Sequence, residues 1–168
     1  MEKELAAIYS KIAQKLAEMI PVEWDKVYLL GEVEKGQLSY TATFYFIETE
    51  TKYIVRGIEI PSIYDVSEDE HDKSDSELCD LVFELNNCFK DNGQDLWEQA
   101  IFVLNSDGSF DIDYKYNVAK KDDGGSNTRQ LIWAYETFGY EPEEGSYFRE
   151  KLEKYKAEKA KKGKRKKK

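Results

Sequence analysis

A chain of 168 residues, 40 % apolar and 14 % aromatic with 12 Tyr, 8 Phe and 3 Trp, has enough large side chains for one hydrophobic core and too many to stay disordered. It lacks an apolar run long enough for a transmembrane helix, and its start, Met1-Glu2-Lys3-Glu4, lacks the basic-then-apolar pattern of a secretory signal, so a cytoplasmic location is expected. The formal net charge of −9 hides two opposite regions: residues 151–168 carry ten Lys and one Arg against two Glu, which leaves −18 on residues 1–150, a sign that repels nucleic acid and attracts basic surfaces.

The first predicted element spans residues 4–20, where Leu5, Ile8, Ile12, Leu16 and Met19 recur at helical spacing until Pro21 stops the helix. Residues 25–34 follow as a strand with apolar side chains on both faces, among them Val27, Leu29, Leu30 and Val33. A turn at 34–37 leads to a second strand over 38–47, rich in aromatic and β-branched residues, and a third is expected over 53–60, closed by Pro61. Three strands joined by short turns make an antiparallel meander. Ser67-Glu68-Asp69-Glu70 is a capping-box sequence whose acids suit a helix N-terminus. The helix it opens carries an apolar stripe of Leu78, Leu81, Val82, Leu85 and Phe89 and stops at Gly93. A hairpin is expected from Ile101–Leu104 and Phe110–Tyr116 around Asn105-Ser106-Asp107-Gly108. After a polar loop over 120–127, a third helix presents Leu131, Ile132, Tyr135 and Phe138 and ends at Gly139. A last amphipathic segment, 147–155, runs into the basic tail.

The order α-β-β-β-α-β-β-α-α, with hairpins and no βαβ alternation, predicts an α+β fold. Its antiparallel sheet has about five strands, a three-stranded meander plus a hairpin, with helices packed on it. One domain is expected over residues 1–155, and residues 156–168 read as a basic, flexible tail. Trp24 and Trp97 are expected in the core. Cys79 and Cys88, nine apart on one helix, lie about 13 Å apart along its axis and are read as buried free thiols.

Enzyme chemistry finds little material. The only histidine, His71, stands among Glu68, Asp69, Glu70 and Asp72 and is read as an exposed side chain with no special role. No Cys/His pattern has zinc spacing, and no Gly-rich phosphate loop is present. Asp107, Asp111 and Asp113 around the hairpin would be the carboxylates of a metal-dependent hydrolase, since Asp111 and Asp113 share a strand face. The alternation of Phe110, Ile112, Tyr114 and Tyr116 with Asp111, Asp113 and Lys115 fits an ordinary half-buried strand as well. Asp69, Asp72 and Asp75 lack the glycine a calcium loop requires. The Lys-rich tail is the one segment suited to nucleic acid, and it carries no interleaved aromatic residues for base stacking. These residues therefore point to a protein that binds and is not an enzyme, with no cofactor and no metal, no membrane partner and no specific nucleic-acid partner.

Several segments carry a more specific signal. Ile8 to Ala13 and the run Met19-Ile20-Pro21-Val22-Glu23-Trp24-Asp25-Lys26-Val27-Tyr28 resemble the N-terminus of the YezG/EsaG antitoxin family, immunity proteins of type VII secretion toxin systems. Asn92-Gly93-Gln94, Trp97, Asn105 to Gly108, Asp111 to Tyr114, Arg129, Trp133 and Phe138-Gly139-Tyr140-Glu141-Pro142 extend the resemblance in order over roughly 5–155. The departures are the basic tail and the acid-rich segment 65–77. The resemblance implies a cytoplasmic immunity protein of a Gram-positive bacterium, with no catalytic residues, whose partner is a cognate secreted nuclease toxin with a basic toxin domain. An inhibitory surface needs aromatic anchors ringed by charge. The candidate contacts are Asp111 and Asp113 on the hairpin, Asp122 and Asp123 in the loop, and Trp133, Tyr140, Glu141, Glu143 and Glu144 beyond it.

Overall fold

The residue before a proline is pushed toward extended backbone, and the first helix stops where that rule places its end. In a computed structural model that describes residues 1–166, with Lys166 described by its backbone alone, α1 spans Glu2–Met19 and Ile20 is already extended ahead of Pro21. The chain then forms β1 (Trp24–Val33), β2 (Tyr40–Glu48) and β3 (Ile54–Arg56), a short α2 (Ile60–Ile63), the long α3 (Glu68–Asp91), β4 (Gln99–Asn105) and β5 (Phe110–Lys115). Two further helices follow, α4 (Ser126–Phe138) and α5 (Tyr147–Lys166). Five antiparallel strands form one sheet in the order β3-β2-β1-β4-β5, so the α+β reading and its element order hold. The α3 crossover carries the chain from one edge of the meander to the free side of β1, where the β4–β5 hairpin adds.

The described chain divides into two compact units, Met1–Val118 and the remainder from Ala119 on. In the first, α1 and α3 pack on one sheet face. Ile8, Ile12, Leu16 and Met19 of α1 and Leu78, Val82, Leu85 and Phe89 of α3 share a core with Val27, Leu29, Phe44, Phe46, Phe102 and Leu104. The stripes expected in both helices are thus the buried ones. Trp97 is buried and Trp24 is half-buried against the same core. On the other face of β1, Leu30 is also buried, which accounts for the strand's apolar character on both sides. Asn86 is fully buried and satisfied: its Nδ2 donates to the Trp97 carbonyl (3.0 Å), and its Oδ1 accepts from Gln37 Nε2 (2.9 Å).

Gly31 marks the closest approach of sheet and helix. A Cβ there would lie 2.8 Å from Val82 Cγ1, so only a bare backbone lets α3 sit down on β1. At the start of β1, a register shift between Trp24 and Lys26 turns Asp25 out of the ladder. Its carboxylate accepts from Thr49 Oγ1 (2.9 Å) and Lys52 Nζ (2.7 Å), which tie it to the β2–β3 turn. Lys52 and Thr49 also hold this carboxyl below its usual range, the lysine contributing most.

Three expectations are corrected here. The third strand ends at Arg56 and not at Ile60: at Gly57 the chain presses on the Phe44 ring (2.6 Å from an added Cβ), turns through residues 57–59 and enters α2, with Pro61 in its first turn. His71 is buried, not exposed. It stands seven residues before Leu78 and fourteen before Leu85, so it continues their buried stripe on α3. Cys88 is buried as expected, but Cys79 is only half-buried; both are free thiols.

In the second unit, Leu131, Ala134 and Leu152 are buried, and Gly139 closes α4 in the left-handed conformation (φ 75°). Helix α5 continues through the basic run as far as Lys166. Lys167 and Lys168, the end of the expected tail, lie outside the described residues.

Gly31→Ala is expected to cost about 1–3 kcal/mol by overpacking, seen as a lowered Tm. Combined with Val82→Ala, the loss should fall short of the sum of the two single losses. Additive losses would show that the two residues do not press on one another.

Candidate functional site

Charge is the property that distinguishes this surface, and it divides with the fold. Residues 1–118 hold 25 acidic against 10 basic residues, −15, while residues 119–168 hold 9 against 15, +6. The anionic character read over 1–150 therefore belongs mainly to the first unit.

The hairpin places Asp111 opposite Val103 and Asp113 opposite Ile101, on the sheet face away from α1 and α3; Ile112 and Tyr114 point to the core. The expected alternation is what β5 shows. Asp113 pairs with Lys115 (2.9 Å), whereas Asp111 has no ion pair among the described residues. Asp107 is used by its own turn: its Oδ1 accepts from the Ser109 amide (2.8 Å) and the Ser109 hydroxyl (2.6 Å). Those bonds lower its pKa. Among the described residues no three His, Cys, Asp or Glu side chains converge as a cation site, so Asp107, Asp111 and Asp113 are not gathered as the hydrolase alternative needs.

In the second unit, Asp122 and Asp123 are neighbours with different surroundings. Gly124 and Gly125, both at positive φ (89° and 86°), wrap the chain around the Asp123 carboxylate. The amides of Lys120 and Gly125 donate to it (2.8 Å each), and Arg129 Nη1 reaches both oxygens (3.0 and 2.8 Å). These donors, the Lys120 amide foremost, depress its pKa to about 2. Asp123 is thus the organiser of the loop that enters α4, a helix whose own N-cap residue, Gly125, has no side chain to cap it. Asp122 is exposed and makes no ion pair among the described residues.

Glu141 is engaged in the same way. Lys156 Nζ lies 2.7 Å from one of its oxygens and Arg149 Nη2 3.5 Å from the other. The Lys156 hydrogen bond is the main cause of its lowered pKa. Lys159 (2.5 Å) and the Tyr155 hydroxyl (2.6 Å) converge on Glu136. Lys156 and Lys159 of the basic run are therefore neutralised within the unit, while Lys161, Lys162, Lys164 and Arg165 are exposed. Glu143 and Glu144 are exposed and form no ion pair among the described residues; Trp133 stands edge-on to Phe138, 5.3 Å between centroids. Of the nine residues picked from sequence, Asp111 and Asp113 lie on the first unit and the other seven on the second.

Sequence reasoning undervalued one stretch. Residues 59–75 hold seven acids, Glu59, Asp65, Glu68, Asp69, Glu70, Asp72 and Asp75, against one cation, Lys73, and none of the seven forms an ion pair among the described residues. Cap and helix-dipole chemistry covers only Glu68, Asp69 and Glu70 of these. Ser67 does cap α3, its Oγ accepting from the Glu70 amide (3.3 Å). Farther along, Glu77 is paired with Lys15 (2.5 Å) and Asp80 accepts from the Tyr40 hydroxyl (3.2 Å).

The pattern has relatives. The family model described as immunity protein YezG-like matches residues 5–153. The chain is 34 % identical to immunity protein YezG of Bacillus subtilis over 137 residues, 82 % of this chain and 89 % of that protein. It is 30 % identical to immunity protein YezG of Bacillus spizizenii, over 83 % of this chain and 85 % of that one. With the type VII secretion system protein EsaG of Staphylococcus aureus the identity is 29 %, over 84 % and 86 % of the two chains.

The Asp123 clasp has a pH signature. A carboxyl whose folded pKa is depressed adds stability above its unfolded value, and that stability is lost as pH falls through the folded value. Asp123→Asn is expected to lower the Tm at neutral pH and to flatten the loss of stability between about pH 4 and pH 2. Coincident Tm–pH curves for the two proteins would rule the clasp out.

Proposed function

Because the chain belongs to the YezG-like immunity protein family, we propose that it is the cytoplasmic antitoxin of a secreted nuclease, which it binds and inhibits without chemistry of its own. The observation that carries this reading is the family match over residues 5–153. That the staphylococcal relative is named a type VII secretion system protein supports the export route of the partner.

Charge supplies the mechanism. A nuclease grips phosphates with Lys and Arg. A partner unit of −15 is attracted to such a surface, and the attraction raises the encounter rate as well as the fit. Speed matters when the target cuts DNA or RNA in the same compartment. Among the acids chosen from sequence, Asp111, Asp122, Glu143 and Glu144 have charge free to steer a cationic partner, with Trp133 and Tyr140 as aromatic contacts. Asp113, Asp123 and Glu141 would have to give up an internal cation or a backbone donor to take part.

The test is co-expression with the nuclease domain of a secreted toxin from the same genome, followed by purification and association kinetics. Cell survival, a stable complex and an association rate that falls about tenfold or more from low to physiological salt are expected. Cell death despite folded protein, with no complex recovered, would refute the reading.

A further inference from the structure

Large apolar side chains stay exposed at several places, Leu38 (80 %) and Tyr147 (65 %) among them, and one group is close in sequence. Tyr53 (72 % exposed), Ile58 (70 %) and Ile63 (53 %) fall within eleven residues, around the edge strand β3, the turn after it and α2. Ile58 precedes the short α2 and Ile63 ends it, so apolar surface is left to water at both ends of that helix. Ile58 also borders a cavity of about 130 Å³ with Phe44, Arg56, His71, Asp72 and Asp75, so it abuts the start of α3.

That start is the most anionic stretch of the chain. The helix dipole accounts for only part of it, because its effect falls off within the first turn and Glu68, Asp69 and Glu70 fill that turn. Glu59, Asp65, Asp72 and Asp75 lie outside it. Glu68 with Asp72, and Asp72 with Asp75, are like charges at helical neighbour spacing, an arrangement that weakens a helix. Burial further raises the Asp75 pKa, so this carboxylate is kept at a cost to the fold. His71 attracts Asp75 and Arg56 lines the same cavity, but among the described residues none of the seven acids forms an ion pair. Seven acids against Arg56 and Lys73 leave a net negative rim beside exposed apolar side chains, the anatomy of a binding surface for a cationic partner.

We propose that Ile58 and Ile63, rimmed by Glu59, Asp65, Asp69 and Asp72, form the anchor of the partner interface, and that the occupant is the Lys/Arg-rich surface of the toxin domain. This deepens the immunity reading and rests on it. The isoleucines hold the complex and the acids speed its formation. The seven residues chosen on the second unit lie outside the anchor.

The test uses the full chain and, as probe, the purified, catalytically inactivated form of the nuclease domain that co-expression pairs with it. Ile58→Ala with Ile63→Ala should weaken binding about 10- to 100-fold, mainly through faster dissociation, with an unchanged Tm. Asp65→Asn, Asp69→Asn and Asp72→Asn together should slow association about tenfold and flatten its salt dependence. Glu150→Gln with Glu158→Gln, exposed acids of α5, should change neither rate. Hydrogen exchange on the wild-type complex, which needs no variant to fold, should show protection over residues 57–75. Wild-type binding with no protection there, or with both variant sets binding like wild type, overturns this surface and leaves the immunity reading intact. No binding by the wild type overturns both. Sedimentation of the chain alone that shows a dimer abolished by the isoleucine pair would give the patch to a second copy and refute the proposal.

Discussion

The first unit depends on how closely α3 can approach β1. β1 is the central strand, bonded to β2 on one side and β4 on the other, and α3 packs across it. The approach is possible because residue 31 has no side chain to hold Val82 away. From that contact follow the burial of the Leu78–Val82–Leu85–Phe89 stripe, the seat of α1 beside it, and the position of α3's first turns next to Phe44 and Ile58. The anionic end of α3 is thus held by a packed core and not by a loop. A rigid mount lets a charged surface meet its partner without first being ordered.

Two kinds of acid coexist in the chain. Asp25, Asp123, Glu136 and Glu141 each have a cation or backbone donor within about 3 Å and do structural work: they fix a bulge, a loop entry and the contacts between α4 and α5. The acids over 59–75 have no such partner among the described residues, so their field reaches solvent. Exposed pairs contribute little stability, whereas unpaired charges of one sign dominate long-range attraction. The net count of a segment therefore says less about binding than which of its charges remain unanswered.

Periodicity made much of the fold legible. The four-residue rhythm of Ile8, Ile12 and Leu16, the capping Ser67 and the Asn105–Gly108 turn each reflect a local rule, and local rules can be read in one dimension. β3 could not be read that way, because Gly57 leaves the strand where it meets Phe44, thirteen residues earlier in the chain. The spacing of Gly57 and Pro61 was the available hint. His71 was hidden by its acidic neighbours, although its seven-residue step to Leu78 was visible. The candidate surface was least legible: whether Asp123 or Asp122 is free depends on Arg129 and two glycines, and a sequence does not say which carboxylate a guanidinium will choose.

The opposite signs of the two units make the chain an asymmetric polyampholyte. A strongly acidic protein should pass through a phosphate- or sulfate-bearing resin, yet the exposed cations at Lys161, Lys162, Lys164 and Arg165 offer such a matrix a foothold that the net charge of −9 conceals. The same molecule offers an anion exchanger the −15 of its first 118 residues. Retention on a polyanionic column would therefore reflect one end of one helix, and it should not be taken as affinity of the whole protein for nucleic acid.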